Sequence, residues 1–145
     1  MTTLNFPPIK AKVQKGLDGR FSIYDIVRNQ FVLLTPEEWV RQHVVHWLNS
    51  DHNLSLASIA IEKQLVINER KKRFDILYYK NGKEHLLIEC KAPEVKLSDA
   101  TCHQIAVYNK VLNAPLLMIT NGIKSILFEW SENDQVYSVK ETLNL

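Results

Sequence analysis

The chain has 145 residues, of which 46% are hydrophobic and 23% are charged, and its formal net charge is +2. This length and composition predict one globular domain over residues 1–145 with a substantial core, and they argue against a second domain. The small net charge neither requires nor excludes a polyanionic partner. Any nucleic-acid site must therefore be a local basic patch.

The cysteines and the N-terminus indicate where the protein resides. Cys90 and Cys102 fall inside predicted regular elements, which favours reduced thiols. The N-terminus has no basic segment, and Pro7 and Pro8 interrupt its apolar residues, so it does not have the pattern of a signal peptide. Apolar runs such as 114–119 are far shorter than the ~20 residues that cross a bilayer. We expect a soluble, cytoplasmic protein without a membrane partner.

The first third of the chain predicts an N-terminal β-hairpin extension followed by a helix. Residues 1–20 are polar and are expected to be irregular, whereas 21–34 carry two apolar, β-rich segments around a polar turn. Thr35 can cap a helix that has Pro36 in its first turn and Glu38 three residues after the cap. Apolar residues at helical spacing continue this helix to about residue 49.

The rest of the chain predicts strands around a second helix. Residues 58–67, 73–79 and 84–91 have the composition of three strands, with Asn81-Gly82 as the turn between the last two. Ser98 can cap a helix that runs to about residue 113. Strands are then expected over residues 116–120, 123–130 and 135–140. The first of them is a continuous apolar run, which is typical of a strand that is covered on both faces. The predicted fold class is α/β, with a central mixed β-sheet flanked by α-helices.

Two acids and a lysine occupy adjacent predicted strands: Asp75, Glu89 and Lys91. Since side chains alternate along a strand, Glu89 and Lys91 share a face and Cys90 points to the other. Carboxylate oxygens are ligands that Mg²⁺ prefers, and Asp75, Glu89 and the backbone carbonyl of Cys90 are candidate ligands. Lys91 can orient a water or neutralise charge that develops on a phosphate. The competing interpretation is an ion-pair cluster on a solvated sheet face.

The hairpin register tests this hypothesis. A strict two-residue turn at Asn81-Gly82 would place Asp75 opposite Ile88, so that Asp75 would point away from Glu89. A metal site formed by both acids therefore requires an odd-length loop or a β-bulge between them. A regular hairpin without a bulge would contradict it.

Several segments together resemble the PD-(D/E)XK nuclease superfamily, and more narrowly the N-terminal nuclease domain of type I restriction endonuclease R subunits. They are Arg73-Phe-Asp75-Ile-Leu, Leu87-Ile-Glu89-Cys-Lys91-Ala-Pro93, Gln104-Ile-Ala-Val-Tyr108 and Leu117-Met-Ile-Thr-Asn-Gly122. The stretch from Tyr24 to Gln42 also resembles small stand-alone relatives of that domain. The resemblance implies a restriction-endonuclease-like core and a nuclease that uses Mg²⁺, with Mn²⁺ as a substitute. The chain has no Gly-Lys-Ser/Thr loop, so translocation is not implied.

The same resemblance suggests further site residues. Gln104 and Tyr108 lie four apart on one helix face and resemble a Gln-x-x-x-Tyr motif that contacts nucleic acid; ordinary packing of Tyr108 is the alternative. Glu38 resembles the first-helix glutamates that add a metal ligand, although a capping box explains it equally well. Independently of the resemblance, the basic residues Arg73, Lys71 and Lys72 are candidate contacts to DNA phosphates, and Arg28 and Arg41 are further candidates.

The function expected from these residues is Mg²⁺-dependent hydrolysis of DNA phosphodiester bonds by an endonuclease in restriction or DNA processing. Asp75, Glu89 and Lys91 are the expected catalytic residues. DNA is the expected partner, and the resemblance also allows a homodimer or a separate motor or methyltransferase subunit. The alternative is a non-catalytic DNA-binding or protein-interaction module that retains the nuclease fold, because a fold does not guarantee activity.

Overall fold

The computed structural model describes all 145 residues and arranges them as two helices and two β-sheets. The N-terminal sheet contains β1 (Val13–Lys15), β2 (Phe21–Asp25) and β3 (Gln30–Leu33), and it leads into helix α1 (Pro36–Ser50). After one turn of 3₁₀ helix (Leu56–Ser58), the central sheet and its second helix comprise β4 (Ile59–Ile67), β5 (Arg70–Lys80), β6 (Lys83–Cys90), α2 (Asp99–Leu112), β7 (Leu116–Thr120), β8 (Ser125–Ser131) and β9 (Val136–Lys140).

The central sheet is mixed, and its strands follow chain order from β4 to β9. Every pair is antiparallel except β6 and β7, the two strands that α2 connects. A parallel pair needs such a crossover, because a short turn can only join antiparallel neighbours. The predicted α/β class, with a central mixed sheet and flanking helices, is confirmed.

The N-terminal extension differs from the prediction in one strand. Residues 13–15 were expected to be irregular, but they pair with residues 21–23 and make the extension a three-stranded antiparallel sheet. The turn that joins them is held by Asp18, whose carboxylate accepts a hydrogen bond from the Arg20 backbone N–H, and by Gly19 at a φ of 83°. All three residues of β1 are exposed. The strand therefore lacks the apolar alternation by which sequence patterns reveal strands.

Both helices begin at the predicted caps. The Thr35 hydroxyl accepts a hydrogen bond from the Glu38 backbone N–H, and Ser98 accepts one from Thr101. Helix α2 ends at Asn113, which adopts a left-handed φ of 56°, a conformation that asparagine tolerates better than most residues. Neither helix is long and apolar enough to cross a membrane.

The central sheet separates two hydrophobic clusters. One lies between the sheet and α1 and includes Val40, Val44, Ile76 and Ile88. The other lies on the side of α2 and includes Ile105 together with partly buried side chains of that helix. All five residues of β7 are buried, which confirms that this strand is covered on both faces.

The hairpin between β5 and β6 contains the β-bulge that the acid pair requires. Asn81 and Gly82 form a two-residue turn with φ values of 52° and 76°, and Lys80 pairs with Lys83. The register then shifts by one residue, because Tyr79 pairs with Glu84 while Tyr78 pairs with Leu86, which leaves His85 as the extra residue. Ile76 consequently pairs with Ile88. The pairing ends there, and the next residues along the two strands are Asp75 and Glu89. The predicted shift of one residue between the two acids is therefore present.

Candidate active site

Asp75 is fixed by hydrogen bonds to both of its carboxylate oxygens. Oδ2 accepts a hydrogen bond of 2.7 Å from the backbone N–H of Cys90, and Oδ1 accepts one of 2.7 Å from Nη2 of Arg41 on α1. The residue is buried, with 8% of its surface exposed. A buried carboxylate remains charged only when such partners replace water. Asp75 therefore has a defined orientation at the place where the pairing between β5 and β6 ends.

The alternation of β5 is interrupted at Asp75, and this turns its carboxylate toward α1. Phe74 and Leu77 both belong to the cluster beside α2, whereas Ile76 belongs to the cluster beside α1. The change of face falls on Asp75, whose carboxylate reaches Arg41 on the α1 side and also lies next to the backbone N–H of Cys90 and the carboxyl group of Glu89. The interruption coincides with Glu62 on β4, which has a φ of 50° and is skipped in the ladder that pairs the two strands.

Glu89 lies against Asp75, and the proximity of the two carboxyl groups alters the pKa of Glu89. Burial, the negative charge of Asp75 and a hydrogen bond with Asp75 raise the pKa of Glu89 above its ordinary value, while the charge of Lys91 acts in the opposite direction. Two crowded carboxylates cannot both ionise easily, so the pair retains a proton. A cation placed between them would remove this cost.

Lys91 follows β6 directly and stays next to the acids. Its backbone N–H donates a hydrogen bond of 2.8 Å to the carbonyl of Thr120 on β7, which holds the chain in line after the strand ends. The positive charge of Lys91 lowers the pKa of both Glu89 and Glu37. Cys90 lies between the two with its thiol in the core cluster, so the predicted opposite orientation of Cys90 is confirmed.

Glu37 is the glutamate of α1 that approaches the acid pair. It is partly exposed, and both burial and the charge of Asp75 raise its pKa, while Arg41 and Lys91 lower it. Sequence reasoning selected Glu38 instead, because Glu38 resembles the first-helix glutamates that add a metal ligand. The only sequence signal for Glu37 was its spacing of four residues from Arg41, which is typical of an ion pair on a helix.

Glu38 lies deeper, inside a buried network of charges. Its Oε1 accepts a hydrogen bond of 2.6 Å from Arg28, and both of its oxygens accept bonds of 3.1 Å from Arg41. The side chain does not close a capping box, since the N–H of Thr35 bonds to the carbonyl of Leu33. The structure therefore places Glu38 between two arginines, whereas Glu37 accepts a hydrogen bond from the same Nη2 of Arg41 that bonds to Asp75.

Arg28 and Arg41 connect the N-terminal sheet, α1 and the central sheet. Arg28 pairs with Asp25 at 2.6 Å and with Glu62 at 3.3 Å. Arg41 pairs with Glu62 at 3.2 Å, in addition to its bonds to the acids of α1 and to Asp75. The surrounding negative charges raise the pKa of both arginines despite burial. Both were considered as contacts to DNA phosphates from the sequence, but here both are enclosed by carboxylates.

Gln104 and Tyr108 lie together on α2 at the border of the acid pair. Nε2 of Gln104 donates a hydrogen bond of 3.1 Å to the Tyr108 hydroxyl. That bond, together with one from Lys72, lowers the pKa of Tyr108, and the charge of Glu89 acts in the opposite direction. The ammonium group of Lys72 lies 5.1 Å from the centroid of the Tyr108 ring. Lys72 is thus engaged with α2, whereas Lys71 and Arg73 are exposed.

The carboxylate oxygens of the acid pair are the candidate metal ligands of this site. Asp75 and Glu89 present carboxylate oxygens at one point, with Glu37 close by, and no group of three or more His, Cys, Asp or Glu side chains forms a cage for a metal. Mg²⁺ is usually bound by one or two carboxylates together with waters and substrate phosphate oxygens. The crowded acids therefore fit Mg²⁺ by their number and by their chemistry.

A comparison with protein families identifies the chain. The family model described as Type I restriction enzyme R protein N terminus matches residues 36–143. The chain belongs to this family. The matched range starts at the first residue of α1 and contains the acid pair, Lys91 and α2, whereas the three-stranded N-terminal sheet lies outside it. No curated protein and no solved structure matches the chain.

Proposed function

We propose that this R-protein N-terminal domain is a Mg²⁺-dependent deoxyribonuclease that hydrolyses DNA phosphodiester bonds in restriction or DNA processing. The observation that carries the proposal is the bulge at His85, which shifts the register so that Asp75 and Glu89 come together where β5 and β6 stop pairing, two residues before Lys91. An ordinary hairpin would have separated the acids. A structural irregularity that unites two carboxyl groups and raises the pKa of Glu89 is typical of a functional site.

Asp75 and Glu89 would hold the metal, with the backbone carbonyl of Cys90 as a further ligand and Mn²⁺ as a possible substitute. When bound, such an ion stabilises charge on the phosphate and lowers the pKa of a coordinated water. The hydrogen bond from the Cys90 N–H already orients the carboxylate of Asp75, so this side chain would not have to reorganise to bind the metal. Glu37 is the nearest further carboxylate on α1 and would contribute through a water or directly.

The remaining residues would orient the substrate. Lys91 carries the free positive charge next to the acids and would neutralise charge that develops on the phosphate or orient the attacking water. Tyr108 and Gln104 share a hydrogen bond beside Glu89 and would position the DNA strand through phosphate or sugar contacts. A homodimer would supply a second active site. Assembly with a separate motor or methyltransferase subunit would instead bring the domain to its DNA target.

One observation favours a second candidate, a non-catalytic DNA-binding or protein-interaction module. Arg41 already neutralises Asp75 through a 2.7 Å ion pair. A site with its own internal cation can persist as a structural element without any metal. In that case the acids would stabilise the contact between α1 and the sheet and would have no chemical role.

A cleavage assay separates the two candidates. Supercoiled plasmid and single-stranded DNA are incubated with the protein in Mg²⁺, in Mn²⁺ or in EDTA. We expect metal-dependent cleavage that falls by at least about 10²-fold in Lys91→Ala and is unchanged in Lys96→Ala, which removes an exposed lysine from the following loop. Equal cleavage by the Lys91→Ala protein would identify a contaminating nuclease. No cleavage combined with salt-sensitive DNA binding would establish the module.

A further inference from the structure

The hairpin formed by β4 and β5 extends beyond the rest of the central sheet. β5 starts at Arg70, but β6 pairs with it only from Ile76 onward, so the first part of β5 pairs with β4 alone. Residues 63–74 therefore form a two-stranded ribbon. At its tip, Asn68 and Glu69 adopt left-handed φ values of 50° and 64°, as the central residues of a tight two-residue hairpin turn do.

The ribbon has one packed face and one open face. On the packed face, Leu65, Ile67 and Phe74 join the cluster beside α2, and Lys72 lies over Tyr108. The register pairs Val66 with Lys71 and Gln64 with Arg73, and paired residues share a face. These four side chains are all exposed, Val66 to 65%. They constitute the open face.

The ribbon is strongly basic, and its charges are unpaired. It contains five basic side chains and one acidic side chain: Lys63, Arg70, Lys71, Lys72 and Arg73 against Glu69. None of the nine ion pairs of the protein involves them. By contrast, Arg28 and Arg41 are surrounded by carboxylates. The ribbon therefore concentrates positive charge that a polyanion can neutralise.

We infer that the open face of this ribbon inserts into a groove of duplex DNA and leads the duplex to the acid pair. A two-stranded ribbon has the width that the major groove admits. With about 3.3 Å per residue, Arg73 and Lys71 lie about 7 Å and about 13 Å from Asp75 along the strand. Val66, which pairs with Lys71, supplies an apolar contact on the same face. The inference rests on the proposed function for its location, and it specifies double-stranded DNA, since a single strand has no groove.

DNA binding without cleavage tests this inference. Fluorescence anisotropy in EDTA measures the affinity for a labelled duplex and for one of its strands, as a function of salt. The variant Lys71→Gln/Arg73→Gln removes two charges from the open face. Its control, Lys80→Gln/Lys83→Gln, removes two exposed lysines that flank the turn at the other end of β5, one at the end of β5 and one at the start of β6. We expect the first variant to lose at least about tenfold in duplex affinity and to reduce the salt slope by about 2, while the control changes neither.

A second pair of variants changes the open face without removing a basic residue. Val66→Gln is expected to weaken duplex binding, and Val139→Gln, at a valine of similar exposure on β9, is not. If the ribbon variants and their controls lose the same duplex affinity, the effect reflects only the overall charge of the protein, and the inference is overturned. The same holds for equal loss on single-stranded DNA, or for a wild-type protein that binds no duplex. Because binding is measured in EDTA, an inactive protein that binds duplex through the ribbon contradicts only the proposed nuclease activity.

Discussion

Nη2 of Arg41 donates a hydrogen bond of 2.7 Å to Oδ1 of Asp75, across 34 residues of chain. The same guanidinium is bonded to Glu38 and to Glu62, so one buried cation offsets several carboxylates. Arg41 thus supplies the positive charge that the acids require in the absence of a metal. A divalent cation at Asp75 and Glu89 would share this task, and the stability of the fold and the affinity for metal are therefore connected.

Replacement of Arg41 should expose this connection. Arg41→Gln leaves buried carboxylates without a counter-ion, and breaking a buried pair in this way costs about 3–5 kcal/mol of unfolding free energy. We expect Mg²⁺ to restore more stability to this variant than it adds to the wild type, because the ion replaces the lost charge. Urea unfolding with and without Mg²⁺ measures both quantities.

Arg20→Gln serves as the control, since Arg20 and Asp18 form an exposed pair and exposed pairs contribute little. Its unfolding midpoint should remain that of the wild type in either condition. An Arg41→Gln protein that is destabilised but gains nothing from Mg²⁺ would show that Arg41 and the metal act on different carboxylates.

Metal binding should release a proton. The pKa of Glu89 is raised above its ordinary value of 4.5, so the folded protein keeps a proton over a pH interval in which the unfolded chain has lost it. The stability that this proton confers is fully present below the unfolded pKa and is lost as pH rises through the folded pKa. Since Mg²⁺ binds the ionised carboxylates, its affinity should increase with pH over the same interval.

Titration calorimetry of Mg²⁺ in buffers with different ionisation enthalpies counts the protons. We expect about one proton released per ion at near-neutral pH, and none in Glu89→Gln, which cannot ionise. Proton release that is unchanged in Glu89→Gln would place the titrating group elsewhere.

Glu37 and Glu38 should respond differently to the same substitution. Glu37→Gln changes a partly exposed side chain near Asp75 and should weaken Mg²⁺ binding with little loss of stability. Glu38→Gln removes a buried charge that pairs with Arg28 and Arg41, and should cost about 3–5 kcal/mol. Calorimetry of Mg²⁺ binding combined with urea unfolding separates the two effects. The reverse order of effects would make Glu38 the metal ligand.

Gly122 should be less replaceable than Gly19. Both have a similar left-handed φ, 85° and 83°, but a Cβ at Gly122 would lie 2.7 Å from Cδ2 of Leu4, whereas nothing lies within 4 Å of one at Gly19. Each alanine variant loses about 1 kcal/mol through its backbone conformation. Gly122→Ala should lose a further ~1–3 kcal/mol through the clash. Thermal unfolding of the two variants measures the difference, and equal losses would mean that Leu4 moves aside freely.

The sequence predicted those features that follow from local rules. The caps at Thr35 and Ser98 depend on residues within one turn, and the buried strand β7 depends on an uninterrupted apolar run. The need for a bulge was also predictable. With a two-residue turn at Asn81-Gly82, Asp75 and Glu89 can share one side of the hairpin only if the register shifts by one residue. The position of the bulge at His85 was not predictable, since the sequence there has no glycine to mark it.

The role of Arg41 was beyond sequence reasoning for a physical reason. Its bonds to Glu38 and Glu37 lie within one helix, but those to Glu62 and Asp75 form only when α1 packs on the sheet. Glu62 also adopts a left-handed φ of 50°, and its residue type does not mark such a conformation in the sequence. The partners of a buried charge depend on which elements pack together in the fold. The spacing of residues along the chain does not reveal these partners.

The bulge at His85 has a consequence for how this hairpin can vary in length. What the acid pair requires is an offset of one residue between two strands, and an extra residue in the turn supplies the same offset as an extra residue in the strand. Removing His85 and lengthening the Asn81-Gly82 turn by one residue should therefore compensate each other, although either change alone rotates Asp75 out of place. The hairpin can thus exchange a bulge for a longer turn and keep its two acids facing each other.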